Sequence, residues 1–284
     1  MRGIVWLRRD LRLSDQPALT AACEACSEVI PLFVFDEPLL QSHVFGSACV
    51  NFMLGCLESV AVSLADRGLI LQWSRGEPVE EVVRAAREWK VDVVYWNRDY
   101  EPGAINRDRA VQQRLAQIGV IVRTFKDHVV FEAEEVRSAT GEPMQRYSAY
   151  RARWWTKWQA VQPTVLPVPR LLKAEKAASL PIPSPLPTAS DLGYEPVTLW
   201  IEPGERNAQK RLRRFVEGPI HTYITGRNLP AVDGSSILSP HFRFGTLSAR
   251  AAVHAALASL AQGRRVSRPD VFIWIDELVW REFF

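Results

Sequence analysis

Five short apolar runs alternate with helix-patterned segments over residues 1–130, and this alternation limits the fold more than any other feature of the chain. Residues 3–7, 29–35, 69–73, 91–96 and 120–125 are nearly continuous in apolar side chains, many of them β-branched or aromatic. A strand with one wet face alternates polar and apolar residues. One without alternation is covered on both faces, as in a parallel sheet whose crossovers are helices. The segments between the runs supply those crossovers. Residues 18–26 follow Pro17, which suits a first helical turn; 48–67 are closed by Gly68; 79–89 follow; and 105–118 are stopped by Gly119. The expectation for 1–130 is therefore an α/β domain with a doubly wound, mostly parallel sheet.

In such sheets ligands bind beyond the carboxyl ends of the strands, which directs attention to the loops after Leu7, Phe35, Trp73 and Trp96. None carries G-x-G-x-x-G or a P-loop lysine. The first loop holds Arg8, Arg9 and Arg12, either as an anion or domain contact or as a salt-bridge cluster fixed by Asp10 and Asp15. The loop 97–103 offers polar side chains and Tyr100. It is suited to a planar aromatic ligand, or simply to a turn that starts a helix.

Beyond residue 130 the pattern changes. Residues 146–159 form a helix with an aromatic side (Tyr147, Tyr150, Trp154, Trp155, Trp158) and a basic side, fit for docking or for single-stranded nucleic acid. A proline-rich stretch follows, containing Pro167, Pro169, Pro181, Pro183, Pro185, Pro187 and Pro196, where neither helix nor central strand can persist. Residues 131–202 thus read as a connecting helix and linker, and 203–284 as all-α. Helices are expected at 207–217, at 249–261 before Gly263, and from about Asp270 to the end. The last carries Trp274, Glu277, Trp280 and Arg281 on neighbouring turns, an ion-pair spacing mixed with aromatics. Between the first two lie Tyr223, Arg227 and the run from Gly234 to Pro240, whose serines and backbone amides suit either a phosphate or solvent.

The formal charge of +3 is too small to announce a nucleic-acid binder by itself. Cys23, Cys26, Cys49 and Cys56 lack metal-ligand spacing and read as reduced, buried thiols. The amino terminus is broken by charges, and no uninterrupted apolar span of about 20 residues occurs, so a cytoplasmic protein with no membrane segment is expected.

Taken in order, these segments resemble the DNA photolyase and cryptochrome family. The opening Ile4-Val5-Trp6-Leu7-Arg8-Arg9-Asp10-Leu11-Arg12-Leu13-Ser14-Asp15 is similar to its first strand and loop. Tyr223 with Arg227 and Pro230, then Gly234-Ser235-Ser236-Ile237-Leu238-Ser239-Pro240, Phe244-Gly245-Thr246-Leu247-Ser248, and Glu277-Leu278-Val279-Trp280-Arg281-Glu282-Phe283 match its flavin-domain motifs. The resemblance implies FAD in the helical domain and a light-harvesting pigment at the α/β domain. It further implies repair of cyclobutane pyrimidine dimers in UV-damaged DNA by electron transfer from excited reduced flavin. By position, Tyr223, Ser235, Ser236, Ile237, Leu238, Ser239 and Arg281 hold FAD. Arg227 contacts DNA phosphate, Trp280 stacks on the flipped dimer with Trp274 adding aromatic surface, and Glu277 hydrogen-bonds it.

Two departures qualify this expectation. Gly103-Ala104 stands where folate-using members tend to have Asn-Glu, which tells against folate and leaves a flavin or deazaflavin pigment, or none. The family's helical domain also continues well beyond the motif at Phe284, so part of the flavin pocket is expected from elsewhere, including from a second chain. Signalling by a cryptochrome-type photoreceptor, and a non-catalytic antenna or nucleotide-binding module, are the alternatives.

Overall fold

Five strands form one parallel sheet in the order β3-β2-β1-β4-β5 in the computed structural model, which describes residues 1–42, 44–170, 180, 183–261 and 267–284. The strands are β1 (Arg2–Leu7), β2 (Glu28–Asp36), β3 (Gln72–Gly76), β4 (Val93–Asn97) and β5 (Ile121–Phe125). Every neighbouring pair is parallel, with Ile4 opposite both Ile30 and Val94 in register. Helices α1 (Pro17–Ala25), α2 (Glu37–Gln41), α3 (Ser47–Ala65), α4 (Pro78–Glu88) and α5 (Pro102–Gln117) make the crossovers. The sheet is covered on both faces. One face packs Val5, Leu7, Phe33 and Phe35 with α1 and α3 residues, and the other packs Ile4, Trp6, Ile30 and Val94 with α4 and α5 residues. The chain order reverses between β1 and β4, which fixes where a ligand crevice opens.

β3 begins three residues later than its apolar run predicts. Leu69 and Leu71 are buried, but in the connection from α3, where the Leu69 amide donates to the Leu64 carbonyl at 3.0 Å. Helix α3 is long and apolar enough to cross a membrane by composition alone, with mean hydropathy 1.7. Its Val50, Phe52, Leu57, Val60 and Leu64 instead pack in the α/β core. The cysteines are free, with Cys23, Cys26 and Cys56 buried, and burial pushes the Cys23 and Cys56 thiols up to about 12.

The chain forms two compact units interleaved in sequence. One comprises Met1–Asp127, Leu166–Glu205 and Arg243–Thr246; the other His128–Val165, Arg206–Phe242 and Leu247–Phe284. The stretch 131–202, expected to connect domains, is thus divided between them. Its proline-rich half lies on the α/β unit because it carries apolar anchors and hydrogen-bond partners. Leu192 and Tyr194 are buried there, the Trp73 indole donates to the Ser184 carbonyl at 2.8 Å, and Tyr194 donates to the Leu40 carbonyl at 2.6 Å. Pro181 and Gly263, read above as linker and helix stop, lie outside the described residues.

The helical unit is built from α6 (Tyr147–Val161), α7 (Glu205–Glu217), α8 (Tyr223–Gly226), α9 (Ser239–Arg243), α10 (Ala249–Ser259) and α11 (Arg268–Phe283). Its core joins Trp154 and Trp158 of α6, Leu212 and Phe215 of α7, Val253 of α10, and Val271, Trp274, Ile275 and Val279 of α11.

Candidate functional site

Within the α/β unit, a cavity of about 510 Å³ opens at the carboxyl ends of β1, β2 and β4, lined by aromatic side chains and rimmed by charge. Trp6, Phe35, Phe45 and Phe244 supply the apolar wall, and Arg9, Arg107, Arg243, Asp36, Asp99 and Glu101 the polar groups. Glu101 accepts from Arg9 and from Arg243, each at 2.6 Å, so one carboxylate spans two guanidinium groups at the rim. Arg8 and Arg107 lie over the Trp6 ring at 4.7 and 5.2 Å.

The loop after β1 is held from beneath by a buried hub. Asp10 accepts from the Arg8 amide at 2.7 Å, Gln16 at 2.8 Å and Asn97 at 2.6 Å. Burial and then the Asp127 charge raise the Asp10 pKa, while the Arg8 amide and the Arg8 and Arg12 charges oppose the rise. Arg12 is wholly buried, paired with Asp127, and donates to the Gly245 carbonyl at 2.9 Å. Gly245 has φ +63°, and a Cβ there would meet the Arg9 carbonyl at 1.9 Å, so no other residue fits. Salt bridges hold all three arginines of the loop, Arg8 to Asp108, Arg9 to Asp99 and Glu101, and Arg12 to Asp127, while Arg8 and Arg9 also line the cavity.

In the helical unit, α11 presents a different face with each residue. Ser267 caps its start, and Asp270 accepts from the Ile224 amide at 2.6 Å, pinning α8 to its first turn. Trp274 is 3 % accessible and packs 5.2 Å from Phe215. That position corrects the expectation of Trp274 as exposed stacking surface, because it faces the core. Asp276 accepts from Arg151 at 2.6 Å and from the Trp155 indole at 3.1 Å, which fixes α6 against α11. Glu277 pairs with Arg227, whose guanidinium also lies 5.1 Å from the Tyr223 ring centroid. The hydrogen bond that Arg227 donates to Glu277 raises the Arg227 pKa.

Trp280 stacks on Tyr147 at 3.4 Å, with their planes 9° apart. Arg281 donates to the His128 carbonyl at 2.5 Å and lies 6.0 Å from the Phe242 ring of α9. Glu282 is half-buried, accepting from the amides of Val130 and Phe131 and from the Trp154 indole. Burial lifts its pKa to about 7 against those donors.

The segment 233–239 lies beside α8 because two glycines cross. The Gly234 backbone approaches Gly226 so closely that a Cβ on Gly234 would meet the Gly226 carbonyl carbon at 2.5 Å. This crossing places Tyr223, itself 8 % accessible, on the helix adjoining the serine run. Leu238 is buried and anchors the run, and Ile237 takes a left-handed φ of +51°. Among the described residues, the hydroxyls of Ser235, Ser236 and Ser239 have no side-chain or backbone partner. The amides of Ser236 and Ile237 have no protein acceptor either. Three hydroxyls and two amides within residues 235–239 are thus free to donate, and phosphate oxygens are acceptors of the kind they would take.

Thus Tyr223, Arg227 and Glu277 form one cluster, joined through Gly226 and Gly234 to residues 235–239. Trp280 belongs to a separate aromatic group with Tyr147, and Trp274 to the core. Sequence reasoning did not single out Tyr147 as the partner of Trp280, nor the Gly226–Gly234 crossing, nor Asp276 and Glu282 as fixing groups. The paired glycines at 226 and 234 are the only local signal among these.

Comparisons with known proteins bear on the whole chain. The model of the family described as DNA photolyase matches residues 3–170. An uncharacterized 31.6 kDa protein of Synechococcus sp. (strain PCC 6716) is 33 % identical over 287 residues, covering 99 % of this chain and 98 % of its own length. A deoxyribodipyrimidine photo-lyase of Synechococcus sp. (strain PCC 6301) is 34 % identical over 293 residues, covering 99 % of this chain and 59 % of its own length. The crystal structure of a class III photolyase from Agrobacterium tumefaciens superposes with a TM-score of 0.83 at 28 % identity, over 99 % of this chain and 57 % of that one. The chain therefore spans less than two thirds of the photolyases it matches.

Proposed function

Because this chain belongs to the DNA photolyase family, we propose that it carries the pigment-binding α/β unit and the phosphate-binding part of the flavin site of a light-driven pyrimidine-dimer photolyase. The observation that carries this reading is the donor set at residues 235–239, brought beside Tyr223 by the Gly226–Gly234 crossing. Ser235, Ser236 and Ser239 would hold the FAD phosphates through hydroxyls, and Ile237 and Leu238 through the backbone. Tyr223 and Arg281 would complete the cofactor's surroundings.

Bound FAD, reduced and excited by blue light, supplies the electron that opens the cyclobutane ring. The chain's own groups bind and orient. Arg227 takes a DNA phosphate, exchanging its bond to Glu277 for a charge-assisted one. Glu277, released, hydrogen-bonds a base edge. Trp280, backed by Tyr147, offers ring surface to a nucleotide that has lost its stacking. The cavity at the sheet's carboxyl edge is the site we assign to the light-harvesting pigment. Its aromatic wall suits a flavin or deazaflavin ring, and Gly103 and Ala104 at its edge bring none of the polar groups a folate would use. The protein so read works in the cytoplasm on UV-damaged DNA.

The test is repair of a dimer-bearing oligonucleotide under blue light, with and without chemical reduction of added FAD. Loss of dimers only in the light supports the reading. Dimers that persist under both conditions remove repair by this chain. FAD binding with reversible photochemistry but no repair turns it toward signalling.

A further inference from the structure

Arg211 of α7 is engaged through its Nε and Nη2 with the segment that carries the donor set. Its Nε donates to the Ser236 carbonyl at 2.9 Å and its Nη2 reaches the Ser235 carbonyl at 3.4 Å. The same Nη2 meets Asp233 Oδ1 at 2.7 Å, and Arg214, one turn on, holds the other Asp233 oxygen at 3.0 Å. A trans peptide unit points its carbonyl and its amide in opposite directions. Two successive carbonyls drawn to one guanidinium therefore turn the amides of Ser236 and Ile237 to the other side, where they find no protein acceptor. The left-handed Ile237, at φ +51°, costs backbone energy that the surroundings must offset. Arg211 and the buried Leu238 flank that residue and restrain it.

We propose that Arg211 is a positioning residue that sets the amide edge of residues 235–237 for phosphate, acting through the carbonyls and not on the cofactor. The proposal rests on the reading of this segment as the FAD-phosphate loop. It makes a distinction that charge alone does not. The Nε and Nη2 of Arg211 hold two carbonyls and Asp233, and that hold acts on the direction of the loop's N–H groups. A lysine at the same place keeps the charge but cannot bridge two carbonyls and a carboxylate with a planar fork.

The experiment measures binding of FAD, ADP and riboflavin to the full chain and to Arg211→Gln, Arg211→Lys and Asp233→Asn. Far-UV circular dichroism and thermal midpoints are recorded for each. Arg211→Gln is expected to weaken FAD and ADP by about tenfold or more, the scale of lost charge-assisted hydrogen bonds. Riboflavin, which has the ring but no phosphate, should bind as it does to the unaltered chain. Arg211→Lys should recover only part of the loss, and Asp233→Asn should show a smaller loss in the same two ligands. Full recovery with lysine, or equal losses for all three ligands, overturns the positioning role. If Arg211→Gln does not fold, Asp233→Asn decides by the same pattern. Should the unaltered chain bind neither FAD nor ADP, the phosphate-loop reading itself fails. Should it bind both and the variants match it, only the role of Arg211 fails.

Discussion

Each unit contains an arginine–carboxylate pair, and the two do opposite work. Arg12 and Asp127 in the α/β unit are both 2 % accessible, whereas Arg227 and Glu277 in the helical unit are 37 and 39 % accessible. Around Arg12 the other donors are also used: it bonds the Ser14 carbonyl at 2.9 Å, the Gly245 carbonyl at 2.9 Å and the Asp15 carbonyl at 2.5 Å. Burial alone would lower the Arg12 pKa, but Asp127, Asp15 and Asp10 together raise it. Nothing can enter there without breaking the fold. The Arg227–Glu277 pair is wet, so either partner can exchange the other for a ligand at small cost. The same two functional groups thus become a structural bolt or a replaceable contact according to their access to water.

The comparison breaks most visibly at the buried pair. Arg12→Ala removes the guanidinium from a buried ion pair and from three backbone carbonyls, and is expected to destabilise the α/β unit by about 3–5 kcal/mol. Urea denaturation followed by far-UV circular dichroism measures it. A loss below about 1 kcal/mol would mean that water reaches Asp127 and that the two pairs are alike.

How much of this was legible beforehand depends on the range of the signal. The strands and most helices were, because continuous apolar runs and period-3.6 patterns are local. The start of β3 was misread because Leu69 and Leu71 bury themselves in a connection, and a buried connection has the same apolar run as a strand. Trp274 was misread for a related reason: α11 is apolar on most of its surface, so spacing alone cannot say which tryptophan meets Phe215 and which meets Tyr147. The Arg227–Glu277 pair joins residues 50 apart in the chain, and no periodicity links them. Motif resemblance marked both residues, but as separate DNA contacts, without their pairing.

Glu282 sharpens the comparison, being a half-buried carboxylate held by N–H donors instead of a guanidinium. With a folded pKa of about 7, raised by burial, it keeps a proton that the unfolded chain releases at ordinary carboxylate pH. Stability contributed by the protonated form is therefore complete at low pH, falls between about pH 4.5 and 7, and is flat above. At about 1.4 kcal/mol per unit the total is roughly 3 kcal/mol. Glu282→Gln keeps an acceptor oxygen and removes the titration, so its stability should change less across that window. An unaltered slope in the glutamine variant would assign the pH dependence to other groups.

The smallest effect on stability belongs to the exposed pair, and its smallness is the point. A double-mutant cycle of Arg227→Ala and Glu277→Ala is expected to give a coupling of about 0.2–1 kcal/mol, since both groups keep water when separated. The same Arg227→Ala change should weaken binding to damaged DNA and lower the magnitude of the salt-dependence slope by about 1, the loss of one phosphate contact. Glu277→Gln should leave that slope alone. A coupling above about 2 kcal/mol would make Arg227 and Glu277 a second bolt, too costly to exchange for DNA. A slope that does not change in Arg227→Ala would take the phosphate away from this arginine.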